Sequence, residues 1–417
     1  MSQFLHFNEN EFKELINNFR EKPKKFRDFN SIFFENKCYF FEKIEKEYPK
    51  EGEEFLNVYE YLQNLVLDIK NIIKEEIPLL KTGEKEAKVE LTRKEVALIF
   101  LLSFFNWMIP NTNRFKVYNI IYSKSKTKFQ FGRCFLNYLT VIGKWLKEKN
   151  PILDEKITYI RNNIDEESIS YSEKEVDLCE IELKEKGSLF DGEAKYCVDF
   201  ANKYIGGGTL SGGCVQEEIL FAVEPEAIIS MNIMEVMNKN DAIGIFNTIE
   251  YSIYKGYANS FQFEKCSIID DITKIKRHRI IAIDATVSRS NFFYNNQNQQ
   301  DIKRDIHKAF VGFNLINLES EKDIEKTIGT GNWGCGAFGG NHELKFLQQW
   351  IAASYAGVKR LDYFTFSNAK MEKAVKFYKE IKNKYQKANL LYNEIVFKKI
   401  DENNIIVNLM ECDKNKK

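Results

Sequence analysis

Apolar residues recur three and four apart through Phe55, Val58, Tyr59, Leu62, Leu65 and Val66, the spacing of one helix face. Thr92-Arg93-Lys94-Glu95 has the form of a capping box with Thr92 as N-cap. The apolar run behind it predicts a helix to about Trp107, stopped by Pro110. A further helix is predicted over Phe135–Lys149. Residues 1–150 therefore read as helical, and none carries evident chemistry. The charged stretch Glu84–Lys88 has the character of a solvated connection.

Beyond Pro151 the texture changes. Short β-branched or alternating runs predict strands at Leu178–Lys184, Lys195–Ala201, Ala242–Tyr251, Arg279–Ala285 and Arg360–Phe366, with a further one at Glu394–Lys399. Helical patterns lie between them at Gln216–Phe221, Ile302–Asn314, Glu343–Ala356 and Ala369–Tyr385. Strands separated by amphipathic helices indicate an α/β layered domain with a mixed sheet, over residues 151–417. No internal repeat is visible.

Composition narrows this picture. The chain has 417 residues, 44% hydrophobic and 14% aromatic, enough for a large core and two domains. The formal net charge is zero, so no bulk charge argues for nucleic acid or a membrane surface as partner. The uncharged stretch between Glu95 and Arg114 is too short and too broken to span a bilayer. The start of the chain lacks a basic n-region and apolar core, and the eight cysteines form no C-x-x-C pair. They are expected to be reduced thiols of a nuclear or cytoplasmic protein. The four histidines lie far apart, and His342-Glu343 lacks the second His of a zinc motif. No metal and no cofactor are expected.

The candidate chemistry lies in two glycine-rich stretches. The first, Gly206-Gly207-Gly208-Thr209-Leu210-Ser211-Gly212-Gly213, is followed by Cys214-Val215-Gln216-Glu217-Glu218. Glycine amides can close around an anion, and the carboxyls can move protons. The second is Gly329-Thr330-Gly331-Asn332-Trp333-Gly334-Cys335-Gly336-Ala337-Phe338-Gly339-Gly340, ahead of a helix with Asn341 as N-cap and Glu343 in its first turn. Its amides and the helix N-terminus suit a diphosphate. Gly334, Gly336 and Gly339 spell a G-x-G-x-x-G with Asp362 downstream, which invites a nicotinamide-dinucleotide reading. That motif belongs to the first strand–turn–helix of its fold. Here it follows several strands and leaves Gln216-Glu217-Glu218 unexplained.

Gly206-Gly207-Gly208, seven residues and Gln216-Glu217-Glu218, entered by Val198-Asp199-Phe200-Ala201-Asn202, resemble the signature of the poly(ADP-ribose) glycohydrolases. Thr330–Gly340 is similar to that family's diphosphate loop, and Tyr254-Lys255-Gly256-Tyr257-Ala258 and Tyr363-Phe364-Thr365-Phe366 also match. The likeness runs over roughly Leu91–Tyr385. It implies a macrodomain-like mixed sheet flanked by helices in residues 151–417, with an all-helical N-terminal accessory domain in residues 1–150. It implies hydrolysis of ribose–ribose O-glycosidic bonds in poly(ADP-ribose), releasing ADP-ribose, with poly(ADP-ribosyl)ated proteins as partners and a part in the DNA damage response.

By that resemblance Glu218 is the catalytic acid/base. Glu217 and Asn202 hold ribose hydroxyls, and Gln216 lies near the ligand. Gly206, Gly207, Gly208, Gly334, Cys335, Gly336 and Ala337 line the substrate backbone. Tyr257 stacks on adenine with Asn332 and Phe366 near the same base, and Phe338 presses on the ribose of the scissile bond. Gly187-Ser188-Leu189-Phe190 supplies backbone contacts to adenine, with Phe190 where an acid is expected. A monomer is expected.

Chemistry supports the carboxyl assignment. Glycoside hydrolysis needs a proton on the leaving oxygen as an oxocarbenium ion forms, and most enzymes set two carboxyls on opposite sides of the bond. Neighbouring carboxyls enter from one side, so one must serve as acid and then as base. The bland readings are a solvated Glu-Glu pair, a core Tyr257, a packing Cys335, and a plain loop for the basic run Lys274–Arg279. The functional rival is an ADP-ribose reader with the same cradle and no cleavage.

Overall fold

The computed structural model describes residues 9–411 except 35–37, 109, 188, 191, 270, 289–295, 322 and 399–403. Among the described residues ten strands form two sheets. In chain order they are β1 (Ala87–Thr92), β2 (Lys156–Asn163), β3 (Glu180–Lys184), β4 (Tyr196–Ala201), β5 (Asp241–Thr248), β6 (Ser252–Lys255), β7 (Gln262–Cys266), β8 (His278–Asp284), β9 (Thr327–Gly331) and β10 (Arg360–Phe364). The main sheet runs β1-β2-β5-β8-β4-β9-β10-β3, and β6 and β7 form a separate hairpin. The pairings from β1 to β8 are antiparallel, and those from β8 through β4, β9 and β10 to β3 are parallel.

Burial on both faces explains the near-continuous apolar strands. In β8, Ile280 and Ala282 join one core while Ile281 and Ile283 join the other; in β5, Ile243 and Ile245 oppose Ala242 and Phe246. The first core holds the N-terminal helices and the helix Gln216–Val223; the second holds Asn296–Asn314, His342–Tyr355 and Ala388–Phe397. The result is a three-layer α/β/α arrangement. The first core runs without a break from Leu15 to the sheet, so residues 1–150 and 151–417 share one apolar interior. Arg93, fully buried, pairs with Glu226 and reaches Glu155 at 3.3 Å, tying the N-terminal region to the turn behind Gln216–Val223.

Three expectations change. The N-terminal region also carries β1, whose Val89 and Leu91 point inward while Lys88 and Glu90 face solvent. The stretch expected as a strand at Glu394–Lys399 is helical over Ala388–Phe397, with Lys399 outside the described residues. Ala388, Leu391, Tyr392, Ile395 and Val396 are all buried, and this helical spacing outweighs the local β preference of Ile-Val. The helix expected from Phe135 begins at Lys126.

Thr92 caps Arg93–Phe104 as expected: its side chain accepts from the Glu95 amide at 3.2 Å, and Glu95 Oε2 accepts from the Thr92 amide at 2.7 Å. The helix ends before Pro110, at Phe105, with Asn106 left-handed at φ 60. Thr92→Ala is expected to cost about 1 kcal/mol of stability. Denaturant unfolding checks this; an unchanged midpoint would show the cap is not limiting.

Candidate active site

The parallel strands β4, β9 and β10 open at their carboxyl ends onto one side of the sheet, where ligands of such sheets bind. β4 leads through Asn202 into the first glycine loop, with Gly206 at φ +81 and Gly207 at φ +46. Gln216–Val223 follows. Gln216 stitches that helix to β4: its Oε1 accepts from the Phe200 amide at 2.8 Å and its Nε2 donates to the Val198 carbonyl at 3.3 Å.

The loop amides do not face outward as an anion cradle for a ligand. Gly206 N donates to Glu217 Oε1 at 2.7 Å, and Asn202 N to Glu217 Oε2 at 2.9 Å. Gly208 N donates to Glu218 Oε1 at 2.8 Å, and Val215 N to Glu218 Oε2 at 2.8 Å. Gly207 N turns back to the Tyr204 carbonyl at 3.0 Å. The anions this loop encloses are the chain's own carboxyls. Backbone donors near a folded-back acidic side chain satisfy it locally, as at any capped helix start.

A third carboxyl lies beneath them. Asp199, in β4, is fully buried, and neither of its oxygens has a hydrogen-bond partner. Burial, then the nearby Glu218, pushes it well above the usual carboxylate range. Glu217 is also pushed well up, by burial first and then by Asp199 and Glu218, against the amides of Asn202 and Gly206 that favour its charge. Asp199 and Glu217 thus hold their protons more readily than isolated acids do. Asp199 is the residue of this site that the sequence pattern contains but does not single out. Its signal is an acid on the face of β4 shared with Ala201, at a core position where charge is rare.

Beside the carboxyls opens a cavity of about 950 Å³. Of the residues expected at the ligand, Gln216, Tyr257, Asn332, Cys335, Gly336 and Phe366 line it, as do Gly187, Leu189 and Phe190; Ser188 lies outside the described residues. Tyr257 is 55% exposed and Phe366 48% exposed, so both offer ring surface. Phe366 and Ser367 both have left-handed backbones, φ 54 and 51, a strained pair at the end of β10. Asn332 is held from β10, its Nδ2 donating to the Thr365 carbonyl at 3.2 Å. Asn202, Gly206–Gly208, Glu217, Glu218, Gly334, Ala337 and Phe338 are not among the lining residues. Phe338 packs partly against the second core, and its carbonyl accepts from Ser288 at 2.8 Å. The cavity also reaches Glu224 and Glu250, which the sequence did not single out. Glu224 accepts from Thr248 Oγ1 at 2.7 Å and meets His278 Nδ1 at 2.6 Å.

The second loop differs from the first. Gly334 and Gly339 take φ +72 and +68, and Asn341 caps His342–Tyr355 by accepting from Leu344 N at 3.0 Å. The amides of Gly336, Ala337 and Phe338 have no acceptor among the described residues, whereas those of Gly206 and Gly208 are taken by the chain's own carboxyls. Burial pushes the Cys335 thiol up to about 12, consistent with packing and not with a nucleophile. Asp362 is fully buried and paired with Arg360 at 2.6 Å, so it cannot serve the ribose contact of a dinucleotide fold. The basic run is spent internally: Arg277 on Glu155, Arg279 on Glu319 and Glu321, and Lys276 on the Phe190 and Gly192 carbonyls.

Comparisons with known proteins agree with this architecture. Residues 168–373 match the family model "Poly (ADP-ribose) glycohydrolase (PARG), Macro domain fold", and residues 47–161 match its companion "Poly (ADP-ribose) glycohydrolase (PARG), helical domain". The chain is 29% identical over 337 residues to a probable poly(ADP-ribose) glycohydrolase 2 of Arabidopsis thaliana, covering 68% of this chain and 64% of that protein. It is 28% identical over 391 residues to poly(ADP-ribose) glycohydrolase 1 of the same plant, covering 74% and 68%. It thus spans about two thirds of the length of these relatives. A solved poly(ADP-ribose) glycohydrolase from Thermomonospora curvata aligns at 15% identity and a TM-score of 0.34, over 50% of this chain and 80% of that one, too loosely to carry an argument.

Proposed function

Because this chain belongs to the poly(ADP-ribose) glycohydrolase family, we propose that it hydrolyses the ribose–ribose O-glycosidic bonds of poly(ADP-ribose) and releases ADP-ribose. The observation that carries the proposal is the pair Glu217–Glu218, folded against the first glycine loop over buried Asp199 and beside an aromatic-walled cavity. Tyr257 and Phe366 take the adenine between ring faces, with Asn332 at its edge. The Gly336–Phe338 amides and the start of His342–Tyr355 take the diphosphate. Glu217 and Asn202 orient hydroxyls of the ribose whose bond breaks.

Glu218 gives a proton to the leaving ribose oxygen as the C–O bond opens, and the ribose that keeps the anomeric carbon becomes an oxocarbenium ion. Glu218 then takes a proton from the water that attacks the anomeric carbon, which restores the carboxyl. The substrate's diphosphate stabilises the cation, so one side of the sugar needs no opposing carboxylate. The seven described cysteines are free thiols, which supports work in the nucleus or cytoplasm on poly(ADP-ribosyl)ated proteins.

Incubating the purified protein with labelled polymer and resolving ADP-ribose from longer fragments tests the reading. Release of ADP-ribose supports it; tight retention of uncut polymer favours a reader. Tyr257→Ala is expected to weaken ADP-ribose binding by roughly 1–3 kcal/mol, the worth of an aromatic platform under a base. Unchanged calorimetric affinity in a folded variant would remove Tyr257 from the adenine site.

A further inference from the structure

The N-terminal helical region meets the candidate active site at one buried cation. Lys128 lies in the first turn of Lys126–Glu148, a helix capped by Ser125. It is 1% exposed. Its Nζ donates to the Gly208 carbonyl at 3.1 Å, the Thr209 carbonyl at 2.8 Å and the Gly213 carbonyl at 2.6 Å. It also sits 4.2 Å from the centre of the Phe131 ring.

The location is unfavourable on two counts. A buried ammonium loses its hydration, and the first turn of a helix presents the positive end of the dipole. The three carbonyls and one ring face offset this, and all three carbonyls belong to the first glycine loop. Gly208 is gripped from both sides: its carbonyl by Lys128, its amide by Glu218 Oε1. Gly213 N closes the loop onto the Gly208 carbonyl at 3.0 Å, and the Gly213 carbonyl returns to Lys128. At the loop's other end Arg114, also from the helical region, donates to the Ile205 carbonyl at 2.9 Å.

We propose that Lys128 is a positioning residue for the glycosidic reaction: it clamps the Gly208–Gly213 loop from outside so that the loop amides hold Glu218 where it can reach the scissile bond. This rests on the glycohydrolase reading of the site. It also gives the helical region a part in catalysis, as the element that braces the reacting loop.

The clamp titrates in an accessible range. Burial lowers the Lys128 ammonium to about 8, although Glu218 and Cys214, the charged and titratable groups facing it, favour its charge. The Cys214 thiol is itself pushed up to about 11 by burial, so it stays neutral there. Above pH about 8 the ammonium loses a donor and its charge, and the loop loses its grip. The same shift has the opposite effect on stability. A folded value below the ordinary lysine value of 10.5 means the unfolded chain binds more protons between the two values, so this group adds stability as pH rises. A fall in kcat without a fall in Tm is therefore its signature.

The test compares wild type, Lys128→Met and Lys128→Arg in polymer cleavage between about pH 6 and 10, with Tm and ADP-ribose Kd alongside. Wild-type kcat is expected to fall through a single limb near pH 8. Lys128→Met is expected to lower kcat at pH 7 by roughly 10- to 100-fold, the cost of a slightly misplaced catalytic group. Its Kd should stay within about threefold and its alkaline limb should vanish. Lys128→Arg should restore much of kcat and move the limb upward. A folded Lys128→Met with wild-type kcat overturns the proposal. Should that variant not fold, a wild type without the limb, or an unmoved limb in Lys128→Arg, overturns it equally. A wild type that binds ADP-ribose but cuts no polymer sinks the glycohydrolase reading and this inference with it; a wild type that cuts beside a Lys128→Met that cuts as fast sinks this inference alone.

Discussion

Glu218→Gln is expected to lower polymer cleavage by about 10² to 10⁴, the range for a lost general acid/base, while ADP-ribose affinity changes little. The side chain keeps its size, yet the amide can neither deliver a proton to the leaving oxygen nor take one from water. The geometry adds a second cost. Both Glu218 oxygens accept backbone donors, Gly208 N and Val215 N, and glutamine has one acceptor oxygen, so one amide loses its partner. That loss is worth about 1–3 kcal/mol of stability, and Tm reports it separately from rate. Glu217→Gln has the same defect toward Asn202 N and Gly206 N. It is expected to lower both turnover and ligand affinity, because Asn202 and Glu217 share the ribose. Cleavage rates and calorimetric affinities of both variants decide the roles. Wild-type turnover in Glu218→Gln would end the acid/base assignment.

The two glycine loops were legible because glycine clusters beside a Gln-Glu-Glu run are uncommon in a core-rich chain. What the residues could not convey was direction. Nothing local in Gly206-Gly207-Gly208 distinguishes amides turned outward to a ligand from amides turned inward to Glu217 and Glu218; that depends on how Gln216–Val223 docks on β4. β9 was hidden for a related reason. Its Thr-Ile-Gly-Thr-Gly run is short and interrupted by two glycines, which weaken the strand pattern and here serve close approach: a Cβ on Gly331 would stand 2.7 Å from the Phe364 carbonyl. The alternation of β1 was readable but lay in a stretch already taken as helical. Lys128 escaped because its partners lie far away in sequence, and Asp199 because it has no hydrogen-bond partner that a local pattern could reveal. Lys128 meets its carbonyls some 80 residues on, and no window of sequence contains both.

The inward loop geometry carries the second large prediction. A Cβ on Gly207 would lie 2.5 Å from both Glu217 Oε2 and Glu218 Oε1, closer than any carbon–oxygen contact tolerates. Gly207→Ala must therefore displace both carboxyls at once, and at φ +46 the alanine also bears the left-handed penalty of about 1 kcal/mol. Turnover is expected to fall by about 10² or more, with a stability loss of about 1–3 kcal/mol from overpacking. Gly213→Ala bears on one carboxyl, since the three atoms nearest its Cβ would all belong to Glu218, Cδ at 2.5 Å. It should depress the rate with a smaller loss of ADP-ribose affinity than Gly207→Ala, which also disturbs Glu217. Gly212→Ala is the control in the same loop: nothing lies within 4 Å of its Cβ, so it should cleave like wild type. Rates, Tm and affinities for the three variants form one experiment. If folded Gly207→Ala keeps wild-type turnover, the carboxyls need not sit against this loop to react, and the bracing of Glu218 by loop amides has no part in catalysis.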